Sequence, residues 1–154
     1  MQVVGHVRVD MKPVKHIMAR LGIDARGDVQ KFHTANVLRR IQKYMPYRTG
    51  ATIHLMMAQS PVHDPLVRVT VPYARMLYYG KVMVDPVTGA AGFLTENGWR
   101  SRRGVPKVVS DRDIQYDKTK NPRAGPFWDR RLVASEGNQM SAELYAYVRR
   151  RGRH

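Results

Sequence analysis

Pro72 separates two patterns that cannot run into each other. Before it, Leu66-Val-Arg-Val-Thr-Val71 alternates apolar with polar residues, as a half-buried strand does. Pro72 ends that strand, since it has no amide to give a ladder and its fixed φ suits a first helical turn. Tyr73, Met76, Leu77 and Gly80 then recur every three or four residues, so a short helix with one apolar face is expected. Gly80 is placed to turn the chain left-handed out of that helix, and Lys81-Val-Met-Val84 reads as a second strand. The expectation is a strand, a tyrosine-packed helical turn and a return into sheet, with the other elements around it.

The flanking elements follow from the same periodicities. Val3, Val7 and Val9 suggest a first strand or extended arm. Val14, Ile17, Met18 and Leu21 lie at helical spacing after Pro13 and before Gly22. Arg26-Gly27-Asp28 spells an integrin-binding tripeptide, which chance explains, since the opening Met1 to Arg8 does not read as a secretion signal. Asp28 is suited to cap a long helix to about Met45, with Val37, Leu38, Ile41, Tyr44 and Met45 as its core stripe. Lys31, Arg39, Arg40 and Lys43 fall largely off that stripe, and a solvated helix face is favoured for them over a nucleic-acid or partner surface. Pro46-Tyr-Arg-Thr-Gly50 is a turn, and Thr52 to Ala58 is undecided between strand and short helix.

Beyond Val84, Asp85-Pro-Val-Thr-Gly89 reads as a hairpin turn, with Ala90 to Thr95 as the returning strand. A polar, basic loop over about 93–108 is expected to project, carrying Arg100, Arg102, Arg103 and Lys107. Trp99 either stacks on nucleic acid with those arginines or anchors the loop to the domain or to a neighbouring subunit. Asp111, Asp113, Gln115 and Asp117 alternate, which gives a strand one acidic face. Those three aspartates are the one candidate cation or nuclease site, and pairing with nearby Lys and Arg is the plainer reading. Pro122 to Arg131 opens the last helix, with Pro126 in its first turn and Asp129 favourable to its dipole. Val133, Met140, Leu144, Tyr147 and Val148 continue one face, with Gly137 as a candidate kink. A basic tail occupies 149–154, and its Arg149, Arg150 and Arg151, with Arg100, Arg102, Arg103 and Lys107 of the loop, are the candidate contacts to DNA or a partner.

Composition narrows the function. At 154 residues and 43% hydrophobic content, the chain reads as a single domain, 1–154, with a core of its own. There is no run of apolar residues long enough to span a membrane, so no membrane partner is expected. The absence of cysteine excludes disulfides and thiolate metal sites. The net charge of +15 is spread through both halves, which fits a place beside nucleic acid or an acidic protein surface. The six histidines lack metal-ligand spacing, and neither a phosphate-binding glycine loop nor a nucleophile elbow is present. No catalytic residue, cofactor or metal is therefore assigned.

Three stretches taken together resemble a known family. They are Pro46-Tyr-Arg-Thr-Gly50, Pro72-Tyr-Ala-Arg-Met-Leu-Tyr-Tyr-Gly-Lys-Val-Met-Val-Asp-Pro86 and Ala124-Gly-Pro-Phe-Trp-Asp-Arg-Arg131. The pattern is similar to the minor capsid, or neck (tail-completion), proteins of long-tailed bacteriophages, over roughly Asp28 to Arg150. Between Gly92 and Val109 the chain departs from that family in length and charge, so no role is carried over there. The resemblance implies an α+β fold: a small mixed or antiparallel sheet with a long helix packed on it and a C-terminal helix. It implies a structural protein and no enzyme, made in the host cytoplasm and resident in the virion neck. Its partners would be itself, as a six- or twelve-fold ring, the head-side connector proteins, the tail terminator and DNA in transit. Pro46, Thr49 and Gly50 would fix the turn from the long helix into the sheet. Tyr73, Tyr78, Tyr79 and Gly80 would hold the central turn, and Pro126, Phe127 and Trp128 would pin the last helix. A free nucleic-acid-binding protein is the alternative that charge alone suggests.

Overall fold

A computed structural model describes residues 14–24 and 27–152. The suggested arm at Val3 to Val9, Arg26 of the tripeptide, and the end of the basic tail lie outside the described residues. The fold is α+β, with five α-helices and two small antiparallel sheets among the described residues. Helix α1 (Val14–Leu21) leads through a loop to α2 (Asp28–Ile41), which tightens into a 3-10 turn over Gln42–Tyr44. Asp28 is the first residue of α2 and Gly27 its cap, one position earlier than expected. The expected core stripe is buried at Leu38, Ile41, Tyr44 and Met45, with Val37 half-buried beside it.

The long C-terminal helix α5 (Trp128–Arg151) packs along α2 and supplies Trp128, Leu132 and Met140 to the same core. Its buried face recurs every four residues from Trp128 through Leu132 and Glu136 to Met140. Val133, assigned above to that face, is 67% exposed. One step of 100° from Leu132 carries it out to solvent. The helix runs without a break through Gly137.

Between these helices, the turn at residues 46–50 leads into α3 (Ala51–Gln59), not into a sheet. This resolves the undecided segment as helix and corrects the role expected of Pro46, Thr49 and Gly50. Thr49 Oγ1 accepts from the Ala51 amide at 3.4 Å, and Ile53 and Met56 face the core. Residues 66–71 are extended but belong to no sheet, which corrects the expected strand. Their alternation is real, because Val67 and Val69 pack on the core while Leu66, Arg68 and Thr70 are exposed. The missing ladder is replaced by side chains at the end of α3.

Helix α4 (Ala74–Tyr79) and strand β1 (Lys81–Val84) form as expected, joined by Gly80 at φ +73°. A Cβ there would lie 3.1 Å from Pro126 Cβ and 3.2 Å from the Tyr116 hydroxyl, so both backbone and space require glycine. Gly80→Ala is expected to cost about 2 kcal/mol in urea unfolding, from the left-handed strain alone.

Strand pairing is less local than the sequence suggests. The turn after β1 closes as expected, with the Asp85 amide donating to Ala90 O at 2.9 Å. However, β1 pairs antiparallel with β4 (Val108–Asp113), not with the segment that follows the turn. Its register, Lys81 against Asp113 and Val84 against Val108, carries an irregularity after Lys81. There the Ser110 hydroxyl donates to Val82 O at 2.7 Å. The segment expected to return instead makes its own hairpin, β2 (Phe93–Thr95) with β3 (Gly98–Arg100). Ala90, Ala91 and Gly92 are poor strand formers, whereas Val108 and Val109 are good ones, so the distant pairing wins. The acidic strand ends at Asp113; Gln115 and Asp117 lie beyond it.

Candidate assembly surfaces

The second and third of the stretches that carry the family resemblance bond directly, and the third also reaches the 3-10 turn just before the first. The Phe127 amide donates to Tyr78 O at 2.9 Å, and the Gly125 amide to Tyr44 O at 3.2 Å. Asn121 Nδ2 donates to the carbonyls of Gln42 and Met45, at 2.8 and 2.9 Å, and so closes the end of α2. Tyr78 is the centre of an aromatic junction. Its ring meets Tyr79, Phe127 and Trp128 edge-on, with centroids 5.3, 5.2 and 5.0 Å away. These are the geometries that aromatic quadrupoles favour. The Tyr78 hydroxyl donates to Asp129 Oδ1 at 2.8 Å, which raises its pKa above the ordinary tyrosine value. Burial raises that of Tyr116, whose hydroxyl donates to Leu77 O at 2.5 Å.

Phe127 caps α5 in the left-handed region, at φ 51° and ψ 51°. A bulky residue pays for that conformation, and here it sets the ring against both tyrosines while the amide reaches Tyr78 O. Pro126 therefore stands two residues before α5 and packs toward Gly80, outside the first helical turn where it was expected. Trp128, buried to 6% exposure, is the anchor of the helix.

Beside this junction lies an open groove of about 580 Å³, lined by Pro46, Thr49, Gly50, Tyr73, Leu77 and Trp99, among others. It joins the first and second of the resembling stretches to the tip of the β2–β3 hairpin. Trp99 is 59% exposed and lies over Gly92, where any side chain would collide with its ring. So the tryptophan lies against its own domain and still presents a free surface.

The expected basic contacts separate into two groups. Arg102 is committed to Asp85 at 3.3 Å, and Lys107 Nζ donates to Ala91 O at 2.5 Å. Asp85 also accepts from the amides of Val87 and Thr88, and these bonds hold its pKa below the ordinary carboxylate value. Arg151 pairs with Asp28 at 2.8 Å, so the tail as far as Arg151 is the last turn of α5, docked on the start of α2. Arg100 and Arg103 are exposed and have no carboxylate partner among the described residues. Arg149 and Arg150 are also exposed, and lie over the rings of Tyr145 and Tyr147 at 5.6 and 6.0 Å.

The strongest electrostatic feature was hidden from sequence reading. Arg40 and Lys43, expected on a solvated face, both bind Glu136, which is 8% exposed. Arg40 is itself buried; it reaches Glu143 at 2.5 Å and its Nε donates to Asn36 Oδ1 at 2.8 Å. The Tyr44 hydroxyl donates to Glu136 at 2.7 Å. The Lys43 ammonium, followed by Tyr44 and Arg40, overcomes burial and holds the Glu136 pKa down to about 2. Periodicity alone could not find this network, because Arg40 and Glu136 are 96 positions apart.

Of the three aspartates considered as a cation site, Asp113 pairs with Lys81 at 2.5 Å, and Asp117 accepts from the Thr119 amide at 2.8 Å. Among the described residues no three His, Cys, Asp or Glu side chains gather as a metal site would need. No described helix is long and apolar enough to cross a membrane. No protein-family model, curated protein or solved structure matches the chain.

Proposed function

We propose that the chain is a structural protein of the head–tail neck of a long-tailed bacteriophage. Copies join into a ring through one repeated patch-to-patch joint, and that ring links the filled head to the tail and lets the genome pass. The observation that carries this reading is the junction itself. The second and third of the stretches that resemble neck proteins hold α4, α5 and the turn after α2 together, and the first and second line an open, largely apolar groove. That arrangement suits assembly. The partners in this reading are other copies, the head-side connector proteins, the tail terminator and DNA in transit. Six or twelve copies would make the ring.

The unpaired surface arginines favour acidic docking surfaces at the rims, where complementary charge sets orientation and rate. They also support a second reading, a free nucleic-acid-binding protein, with Arg100, Arg103, Arg149 and Arg150 as the phosphate contacts. The two readings differ in solution. A neck protein is expected to form closed rings by mass photometry and electron microscopy, or to bind connector or tail proteins. A phage lacking the gene should accumulate filled heads and finished tails that do not join. A strict monomer that binds neither set of proteins, yet binds duplex DNA with a steep salt slope, would replace the first reading by the second.

A further inference from the structure

Residues 66–71 belong to no sheet, and side chains cover one edge of this segment while the other stays open. On the closed edge, the Arg68 amide donates to Ser60 Oγ at 2.8 Å, and the Ser60 hydroxyl donates back to Arg68 O at 3.3 Å. The Thr70 amide donates to Gln59 Oε1 at 2.8 Å. Two side chains at the end of α3 thus do the work of a neighbouring strand. In an extended chain alternate residues direct their N–H and C=O groups to opposite edges. The backbone groups of Val67 and Val69 therefore line the other edge, where they have no hydrogen-bond partner among the described residues. Paired backbone is the rule in folded proteins, and an open edge is a template for another strand.

We propose that this edge receives strand β3 from a second copy of the chain. The β2–β3 hairpin is a two-stranded ribbon with three residues in each strand, a size that is marginal in water. Its Phe93, Leu94 and Trp99 are 48%, 77% and 59% exposed, and Leu66 at the start of the open edge is 53% exposed. Thr95 and Gly98 close the two-residue turn as an inward-facing pair, so the backbone groups of Trp99 face the ribbon's outer edge. Run antiparallel, Trp99 stands opposite Val69, and Glu96 comes to the Pro72 end of the edge. Glu96 is the sole carboxylate between Asp85 and Asp111. Arg75, just past that end, lies over the Tyr79 ring at 6.0 Å and has no carboxylate partner among the described residues. The charges therefore match in the antiparallel orientation, which is the one proposed.

This joint rests on the self-association proposed above, and one experiment separates the two. A photo-crosslinking benzoylphenylalanine is placed at Leu66 in an equal mixture of isotopically light and heavy full-length protein, and crosslinks are mapped by mass spectrometry. Light-to-heavy crosslinks into residues 100–104 are expected, because in this register Leu66 lies opposite Arg102. Val69→Pro removes an open-edge amide and none of the bonds to Ser60 or Gln59, and should weaken assembly about tenfold or more. Trp99→Pro should give the same loss from the donor side, without disturbing the valine packed on the core. Assembly with crosslinks elsewhere, or with both proline variants assembling as well as the parent, overturns the joint and leaves the ring standing. A protein that stays monomeric at all concentrations overturns both.

Discussion

Trp128→Ala is expected to lower the free energy of unfolding by about 4 kcal/mol, among the largest effects of any single truncation in the chain. Trp128 is 6% exposed, starts α5 and lies edge-on to Tyr78 with centroids 5.0 Å apart. Alanine would leave a cavity where α4, α5 and the end of α2 meet, and rigid helices on three sides cannot collapse into it. Urea denaturation followed by circular dichroism should show a lower midpoint with an unchanged slope. Tyr78→Phe is the comparison, because it keeps the ring and removes only the bond to Asp129. Its expected loss is about 1 kcal/mol. A Trp128→Ala protein as stable as the Tyr78→Phe protein would mean that the aromatic junction does not hold the helices together.

Glu136→Gln should cost about 3 kcal/mol, because Arg40 and Lys43 would then face an uncharged amide at a largely buried site. The same carboxylate makes stability depend on acid. Its pKa falls from an ordinary 4.5 to about 2 on folding, so the unfolded chain takes up the proton first. The stabilisation is complete above pH ~4.5 and is lost as pH falls from there through about 2. The parent protein should therefore destabilise over that window, and Glu136→Gln should show a shallower dependence there. Equal slopes in the two proteins, measured by denaturation at stepped pH, would remove Glu136 from the account. Surface pairs such as Lys31 with Asp28, at 3.6 Å, are too solvated to produce such a change.

Local chemistry was legible wherever neighbours in the chain are neighbours in space. Gly80, the α2 stripe, the Asp85 turn and the start of α4 all follow from residues within a few positions of one another. A turn near the β2–β3 hairpin was also legible in principle from Asn97-Gly98, although the central residues are Glu96 and Asn97 and Gly98 already opens β3. The basic setting around it drew the reading toward a structureless loop. Arg40 misled for another reason: charge on a helix predicts exposure only when no distant carboxylate comes to meet it.

The sequence by itself determined the periodicities, the breakpoints at proline and glycine, the α+β class and the excess of positive charge, because each depends on composition or short spacing. Only the tertiary structure decided which strand accompanies β1, which cations are spent inside, and which edge of residues 66–71 stays open. Those outcomes are competitions between partners far apart in the chain. They are settled by packing and by the cost of leaving a buried charge or backbone group alone, and a linear pattern carries neither quantity.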